Sequence, residues 1–560
     1  MKKYIFKSLS ALALTFSLGM TTSCVGDLDQ IPKDPNILTS ANFTEEDVRM
    51  ALAKCYSGIA VSGQSGPNGD SDISGLDGGT SQYTRAIYML NEFTTDESKW
   101  IWPDVGVFDL VTNTWGKDNS NIFGTYSRLY VHIAICNDFI RLIDNGAPGA
   151  EADLAQYRLE ARALRALSYY WVVDLFGKGG FVDENTDGNP KQISRLELYN
   201  WLKTELEDIV KNYPEATPVY GRIGKDGVQA LLARLYLNAK VYTDGAEDGS
   251  AKCQEHCAAI IARHKGKGGF NNSGLANHYM YVFCGDNHDY MPGGSNAAEN
   301  EILWGIPYDS EDIQPYGGTT FLCAANVKNM TWADDGAYMN QADYGMGAQW
   351  GCMHATPEFA SKFEEADNRW SMWCKEENGF KKENTGFSTF TDGYGVVKFT
   401  NLLKGTDGGW STENGGVYSA DPANPTPARS EQFPDTDLPM FRLAEVYLMY
   451  AECNIVGGTG DAAAALEYVN YVRERAGVAK WTPAEMTANN ILDERCRELY
   501  WENVRRSDLV RFGKFTGNSY LWSWKNNVAK GGSIPEHMNV FPIPSDVISA
   551  QPDFEQNPGY

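Results

Sequence analysis

Hydrophobic positions recur at helical spacing towards both ends of the chain and lose that spacing in its middle. Between Ile491 and Lys514 (ILDERCRELYWENVRRSDLVRFGK), Leu492, Cys496 and Leu499 fall four and three residues apart, with Tyr500 beside them. That spacing predicts one apolar helical stripe. Upstream, Thr482 and Glu485 have capping-box spacing around Pro483, so a helix is expected to begin there and to end at Gly513. The other faces carry Arg495, Arg497, Arg505 and Arg506 against Glu494, Glu498 and Glu502. Pairs three or four apart, such as Glu502 with Arg505 and Arg506, predict a scaffold helix laced with ion pairs.

The same period runs through the first half. Thr44 and Asp47 open a helix towards Tyr56. Helices are expected over Asn121 to Ile143 and over Ala152 to Phe176, the second stopped by Gly177. Ser194 and Glu197 form a further capping box before LELYNWLKTELEDIV, and Lys225 to Tyr242 is next. Amphipathic helices of about 15 to 25 residues joined by short connections predict antiparallel helical pairs of the tetratricopeptide type, although no strict 34-residue repeat is present. From 265 to 435 the period is lost. Gly, Asn, Asp, Tyr and Trp dominate, with short β-like runs such as EILWGIPY and GYGVVKFTN and one short helix expected after Thr356-Pro357. Helices return with FRLAEVYLMYAECNI and with Asp461 to Arg475. The expected fold is mainly α: a tetratricopeptide-like scaffold (44–264 and 436–515) with a loop-rich ligand-binding segment (265–435) inserted, all within one domain, 44–560.

The N-terminus reads as a targeting segment. Lys2 and Lys3 precede an apolar stretch, Leu9 to Met20, too short to span a bilayer, and Thr21-Thr22-Ser23 lead to Cys24. Residues 1–23 resemble a bacterial lipoprotein signal, which makes Cys24 the expected lipidation site. Ordinary secretion with a free Cys24 is the alternative. Residues 24–43, with Pro32 and Pro35, form the expected tether. No later stretch is apolar enough to span a membrane as a helix, so attachment would rest on lipid alone.

Composition narrows the function. Lys+Arg 48 against Asp+Glu 73 gives a net charge of -25, which argues against nucleic acid and other polyanions as ligands. Eleven irregularly spaced cysteines do not form a disulfide framework. Cys253 and Cys257 with His256 and His264 read as a helix with buried thiols before they read as zinc ligands. Asp70, Asp72, Ser74 and Gly75 match the first half of a calcium loop, but Ser81 stands where the bidentate Glu is needed. No metal or cofactor is expected. Aromatics are abundant, with Trp 15, Tyr 30 and Phe 24. Trp100 and Trp102 flank Ile101 and precede Pro103, so they lie on extended chain and point to one side, as core or as an exposed platform. A platform suits a sugar, whose C–H face stacks on an aromatic ring while Asp, Asn and Arg satisfy its hydroxyls. A glycosidase needs two carboxylates flanking the bond, and no G-x-S-x-G or H-E-x-x-H hydrolase motif stands out.

Several stretches together resemble one family. The pattern ER-x-REL-x-x-E-x-x-R-x-x-DL-x-R-F-G from Glu494 to Gly513 resembles the signature of the SusD/RagB family, outer-membrane glycan-capture lipoproteins of Bacteroidetes. NFTEEDVRMALAKCYSGI, EARALRALSYYWVVDLFGKGG, GVQALLARLYLNAKVY and the terminal NVFPIPSDVISAQPDFEQNPGY resemble it in matching order. The resemblance implies a surface-exposed, lipid-anchored outer-membrane protein that binds an oligosaccharide or polysaccharide without hydrolysing it. The implied partner is a SusC-like TonB-dependent outer-membrane transporter. A peptide-capturing relative and an extracellular glycoside hydrolase are the alternatives. The Thr95-Asp96-Glu97 triplet resembles the family, whose ligand-stacking aromatic follows it, which makes Trp100 and Trp102 the leading site residues. Tyr290, Tyr316 and Trp332, in Gly- and Asp-rich surroundings, are expected on the opposite wall, with Arg85 and Asp96 bonding hydroxyls. Trp304 and Trp350, each beside a glycine, are expected to be structural.

Overall fold

The structure is a computed structural model that describes residues 43–63, 69–215, 219–288, 300–325, 346, 350–370, 393–402, 430 and 432–560. Its first helix, α1 (Glu45–Ala60), starts at the expected box: the Asp47 amide donates to Thr44 Oγ1 and the Thr44 amide to the Asp47 carboxylate. After α2 (Tyr83–Asn91) come α3 (Ser120–Asp144), α4 (Glu151–Trp171), α5 (Arg195–Asn212), α6 (Lys225–Leu237) and α7 (Ser250–His264). A π-turn, Val172–Phe176, extends α4 until Gly177 turns left-handed at φ 72°, a conformation glycine adopts without a Cβ penalty. Ser194 and Glu197 cap α5 reciprocally. Consecutive helices pack against each other in the series α3–α4–α5–α6–α7, as the helical-pair reading expects.

The loop-rich middle adds α8 (Gly318–Ala324), which the hydrophobic pattern did not signal, and the expected short helix Pro357–Ala360. EILWGIPY does form a strand, β4 (Ile302–Ile306). GYGVVKFTN forms none, making only the isolated bridge of Tyr394 to Ala355. In chain order β1 (Lys99–Trp100) pairs with β5 (Met353–His354), β2 (Gly179–Phe181) with β3 (Lys191–Ile193), and β4 with β6 (Leu438–Arg442), all antiparallel. β6 leads into α9 (Leu443–Gly457), which packs on α6 and α7 and so joins the C-terminal helices to the N-terminal ones. α10 (Ala462–Arg475) follows, capped by Asp461. Among the described residues no helix is long and apolar enough to cross a membrane.

The stretch from Thr482 to Gly513 departs from the single helix its period predicts. The Thr482–Glu485 box closes only a 3-10 turn, and the helix proper, α11 (Ala488–Leu499), is capped by Thr487. It breaks at Tyr500 and resumes as α12 (Arg505–Arg511), because Trp501 and Asn503 sit at φ 63° and 64°. Residues other than glycine are costly there, so something must hold them.

Its charges are not surface pairs either. Glu494, Glu498, Arg495, Arg505 and Arg506 are all buried. Glu502 turns from Arg505 and Arg506 to Arg442 (2.6 Å) and Lys398 (2.5 Å). Glu498 meets Arg442 at 2.6 Å and Arg369 at 3.2 Å and also pairs with Arg475. Arg369 reaches Glu494 at 2.7 Å, and Arg442 and Arg475 both reach Glu301. Desolvating so many ions is expensive, and each of Glu301, Glu494, Glu498 and Glu502 is kept by more than one cation. The network ties α10 and α11 to β6, to Glu301 beside β4 and to Arg369, so it fastens the irregular segment to the helical support.

Candidate ligand-binding site

The triplet Thr95-Asp96-Glu97 plugs the break between α11 and α12. Asp96 takes both Nε and Nη2 of Arg505, at 2.8 and 2.7 Å, and the Tyr520 hydroxyl. Glu97 Oε2 accepts the Trp501 amide at 3.1 Å, while the Trp501 indole N–H donates to the Glu97 carbonyl at 3.2 Å. These bonds hold Trp501 in its left-handed conformation. They also fix the start of β1, which leads straight into the two tryptophans.

The extended backbone expected at 100–102 is present. Lys99 and Trp100 pair with His354 and Met353, and the Ile101 amide donates to the Cys352 carbonyl at 2.8 Å. The two rings touch edge to face but differ in exposure. They lie 5.6 Å apart at 71°. Trp100 is 2% exposed, packed between Phe93 and Phe321 of α8, with its indole N–H on Asp104 at 2.8 Å. Trp102 is half-exposed and faces Trp350, ring centroids 6.4 Å apart at 37°. The pairing of β1 with β5 brings Trp350, just ahead of β5, to the site, and its amide is tied to the Ala324 carbonyl at the end of α8.

A cavity of about 730 Å³ opens here, with Trp102, Trp350, Arg85, Asp77 and Asp104 among its walls. Gln82 caps α2 by accepting the Arg85 amide, which places the Arg85 side chain over Phe321 (4.6 Å), Trp100 (5.6 Å) and Trp350 (5.9 Å). Nη1 donates to the Tyr316 carbonyl at 3.3 Å, and Nε has no hydrogen-bond partner among the described residues. Burial lowers the Arg85 pKa from its ordinary value, and the attraction of Asp77 and Asp104 only partly offsets it. Asp77 caps the turn Gly78–Ser81. Burial pushes its carboxyl up, but hydrogen bonds from Thr80 outweigh that and hold it low, so it stays ionised. The cavity therefore offers two tilted indole faces, a guanidinium with spare donors and acidic acceptors. That set suits a hydroxyl-rich ligand with apolar ring faces. A larger cavity of about 780 Å³ beside α1 has Met50, Leu52, Ile59 and Ile306 on its walls together with Tyr157, Tyr220, Arg222 and Asp312, and it shares no lining residue with the cavity at Trp102 and Trp350.

The SusD family model matches residues 300–560. The starch-binding protein SusD of Bacteroides thetaiotaomicron is 30% identical over 100% of this chain and 99% of its own length. This chain belongs to the SusD family. Among solved structures, surface glycan-binding protein A from Bacteroides fluxus superposes with a TM-score of 0.65 at 21% identity, over 92% of this chain and 100% of that one. Surface glycan-binding protein A from Bacteroides thetaiotaomicron, in complex with laminarihexaose, gives 0.64 at 19%, over 92% and 99%. At those identities the likeness is one of fold.

In this SusD-family chain the residues singled out by sequence divide. Trp102 and Arg85 meet at the cavity. Tyr316, 43% exposed, stands at its edge through its carbonyl bond to Arg85, with its ring against Phe433 and its hydroxyl accepting from Gln432. Trp100 forms the floor beneath Arg85 and presents almost no surface. Asp96 is a correction: it is 0% exposed, and Arg505 and Tyr520 occupy its carboxylate. Tyr290, Trp332 and Cys24 lie outside the described residues. Trp350 is the second correction, a wall of the cavity where a scaffold role was expected; Trp304 is buried as expected. Asp77 and Asp104 were missed, since a capping aspartate and a loop aspartate carry no signal that separates them from others. Asp72 of the calcium-like loop is held by Arg128, at 2.5 Å to Nη2 and 3.2 Å to Nη1. Cys253 and Cys257 are buried 4.0 Å apart, while His256 goes to Gln229 and His264 to Asp226. Among the described residues no group of three or more His, Cys, Asp or Glu side chains is set to hold a metal ion.

Proposed function

We propose that this protein is a cell-surface glycan-binding lipoprotein that captures an oligosaccharide or polysaccharide without cleaving it. In this reading it hands the ligand to a SusC-like TonB-dependent outer-membrane transporter and is held at the outer membrane through acylated Cys24. The observation that carries the binding role is the cavity between Trp102 and Trp350, with the Arg85 guanidinium and ionised Asp77 on its walls. Membership of a family that includes a starch-binding protein supports it, and so does the shared fold with a protein solved around laminarihexaose. Each stacked ring contributes about 1 kcal/mol, so several subsites are needed for useful affinity, and an extended glycan supplies them. A lid over a transporter mouth implies a contact of more than about 2,000 Å².

Calorimetric titration against a panel of glycans and a panel of peptides tests the reading. Saturable binding to a glycan, with no new reducing ends after incubation, supports it. Binding confined to peptides, or release of sugar ends, overturns it. Co-purification with a large barrel protein from native outer membranes tests the transporter partner.

A further inference from the structure

The guanidinium on the cavity wall is set by residues that lack side chains. Arg85 rests on the Phe321 ring, 4.6 Å from its centroid, and Nη1 donates to the Tyr316 carbonyl at 3.3 Å. Two buried glycines border this arrangement: Gly79, inside the Gly78–Ser81 turn, and Gly317, next to Tyr316 and just ahead of α8. Neither has a left-handed backbone, so no turn geometry calls for glycine at either position. Close approach does. A Cβ on Gly79 would meet Arg85 Nη1 at 3.0 Å, Tyr316 Cβ at 3.1 Å and Asp77 Oδ1 at 3.2 Å. A Cβ on Gly317 would meet Gln82 Cβ at 2.5 Å and Gln82 Oε1, the acceptor of the Arg85 amide, at 2.7 Å. All of these fall inside the roughly 3.5 Å at which non-bonded atoms settle.

Of the atoms around Gly79, the end of Arg85 is the one able to yield. Asp77 is fixed by the Thr80 amide at 2.9 Å and the Thr80 hydroxyl at 2.5 Å, and Tyr316 Cβ is one bond from the backbone. Glycine in a helical turn also costs stability against alanine, so local propensity does not account for it.

We infer that Gly79 is a positioning residue for Arg85: its bare Cα lets the turn, Tyr316 and the guanidinium close together, and a side chain there displaces the guanidinium from the cavity wall. Gly317 closes the same seat from the other side by letting its segment lie on Gln82. Gly79 does not itself line the cavity, so it acts through Arg85. The inference rests on the glycan reading of that cavity.

Gly79→Ala, Arg85→Leu and the double variant form a thermodynamic cycle with the wild type. Denaturant unfolding of the full chain reads the seat without any ligand. Once the guanidinium is gone, alanine is the better residue in the turn, so Gly79→Ala should raise the midpoint in the Arg85→Leu background and raise it less, or lower it, when Arg85 is present. The same midpoint shift in both backgrounds overturns the inference. Gly79→Ser carries the same Cβ and takes the place of Gly79→Ala should that variant fail to fold. Calorimetric titration with soluble starch and with laminarihexaose adds the binding arm. Gly79→Ala should lower affinity about fivefold when Arg85 is present and leave it unchanged in the Arg85→Leu background. An equal loss in both backgrounds, or no loss in a protein that binds either sugar, overturns the positioning role. Where Arg85→Leu leaves no measurable binding, the loss in the Arg85 protein and the midpoints decide. If neither sugar binds the wild type, the glycan reading fails, and the midpoints still decide the seat.

Discussion

Asp96 and Arg505 stand 409 residues apart in the chain and meet in the core as a bidentate pair, Nε to Oδ1 at 2.8 Å and Nη2 to Oδ2 at 2.7 Å. A triplet in the N-terminal half is thereby locked to the signature stretch near the C-terminus. The ligand-facing loop is anchored to the part of the chain with the strongest family pattern.

Asp96→Asn should cost about 3 to 5 kcal/mol, because it leaves Arg505 charged, buried and without its main partner. Burial raises the Asp96 carboxyl, but Arg505 outweighs it and brings it down to about 2. A lowered carboxyl contributes stability above its ordinary value, near 3.8, and loses it as pH falls through 2. Denaturant melts from pH 5 to pH 2 should therefore show an acid limb in the wild type that is shallower in the variant. A variant as stable as wild type would free Asp96 for ligand.

The two tryptophans should separate in one pair of measurements. Trp102→Ala is expected to lower glycan affinity by about 1 to 3 kcal/mol with little change in melting temperature. Trp100→Ala removes a buried ring stacked between Phe93 and Phe321 and should destabilise the fold by about 3 to 5 kcal/mol. Calorimetry beside a thermal melt checks both, and equal effects on the two readouts for Trp102 would place it in the core.

Arg85→Leu tests a charge kept at the expense of stability. The guanidinium is desolvated over three aromatic rings and has no carboxylate within ion-pair distance among the described residues. An apolar replacement should leave the melting temperature unchanged or raised, while glycan affinity drops by about 1.5 to 3 kcal/mol through lost charged hydrogen bonds. Unchanged affinity would remove Arg85 from the site.

Glu498→Ala should be among the most damaging single changes away from the cavity. It strips Arg442, Arg475 and Arg369 of a shared partner at once. A loss of about 3 to 5 kcal/mol is expected in denaturant unfolding.

Cys24→Ala should release the protein from membranes, and metabolic labelling should show acyl chains on the wild type alone. Membrane retention of the variant, with no label on the wild type, would end the anchor reading.

Local chemistry made much of the scaffold legible. The boxes at Thr44–Asp47 and Ser194–Glu197, the stop at Gly177 and the 3.6-residue stripes of α3 to α6 are all set within a few residues of chain, and the helices formed where those signals lie. The extended backbone around Trp100 and Trp102 was legible for the same reason. The break at Trp501 was not. It exists because Glu97, Asp96 and Arg505 close on it from both ends of the chain, and no period within 491–514 reports a partner 400 residues away. The charges of that stretch likewise have helical spacing whether they face water or one another; packing against β6, Glu301 and Arg369 put them inside. At the site, sequence marked the aromatic and basic residue types, while tertiary structure decided which reach the cavity. Trp102 and Trp350 meet because β1 pairs with β5, and Asp96 is withdrawn because a buried guanidinium holds it more strongly than any sugar hydroxyl.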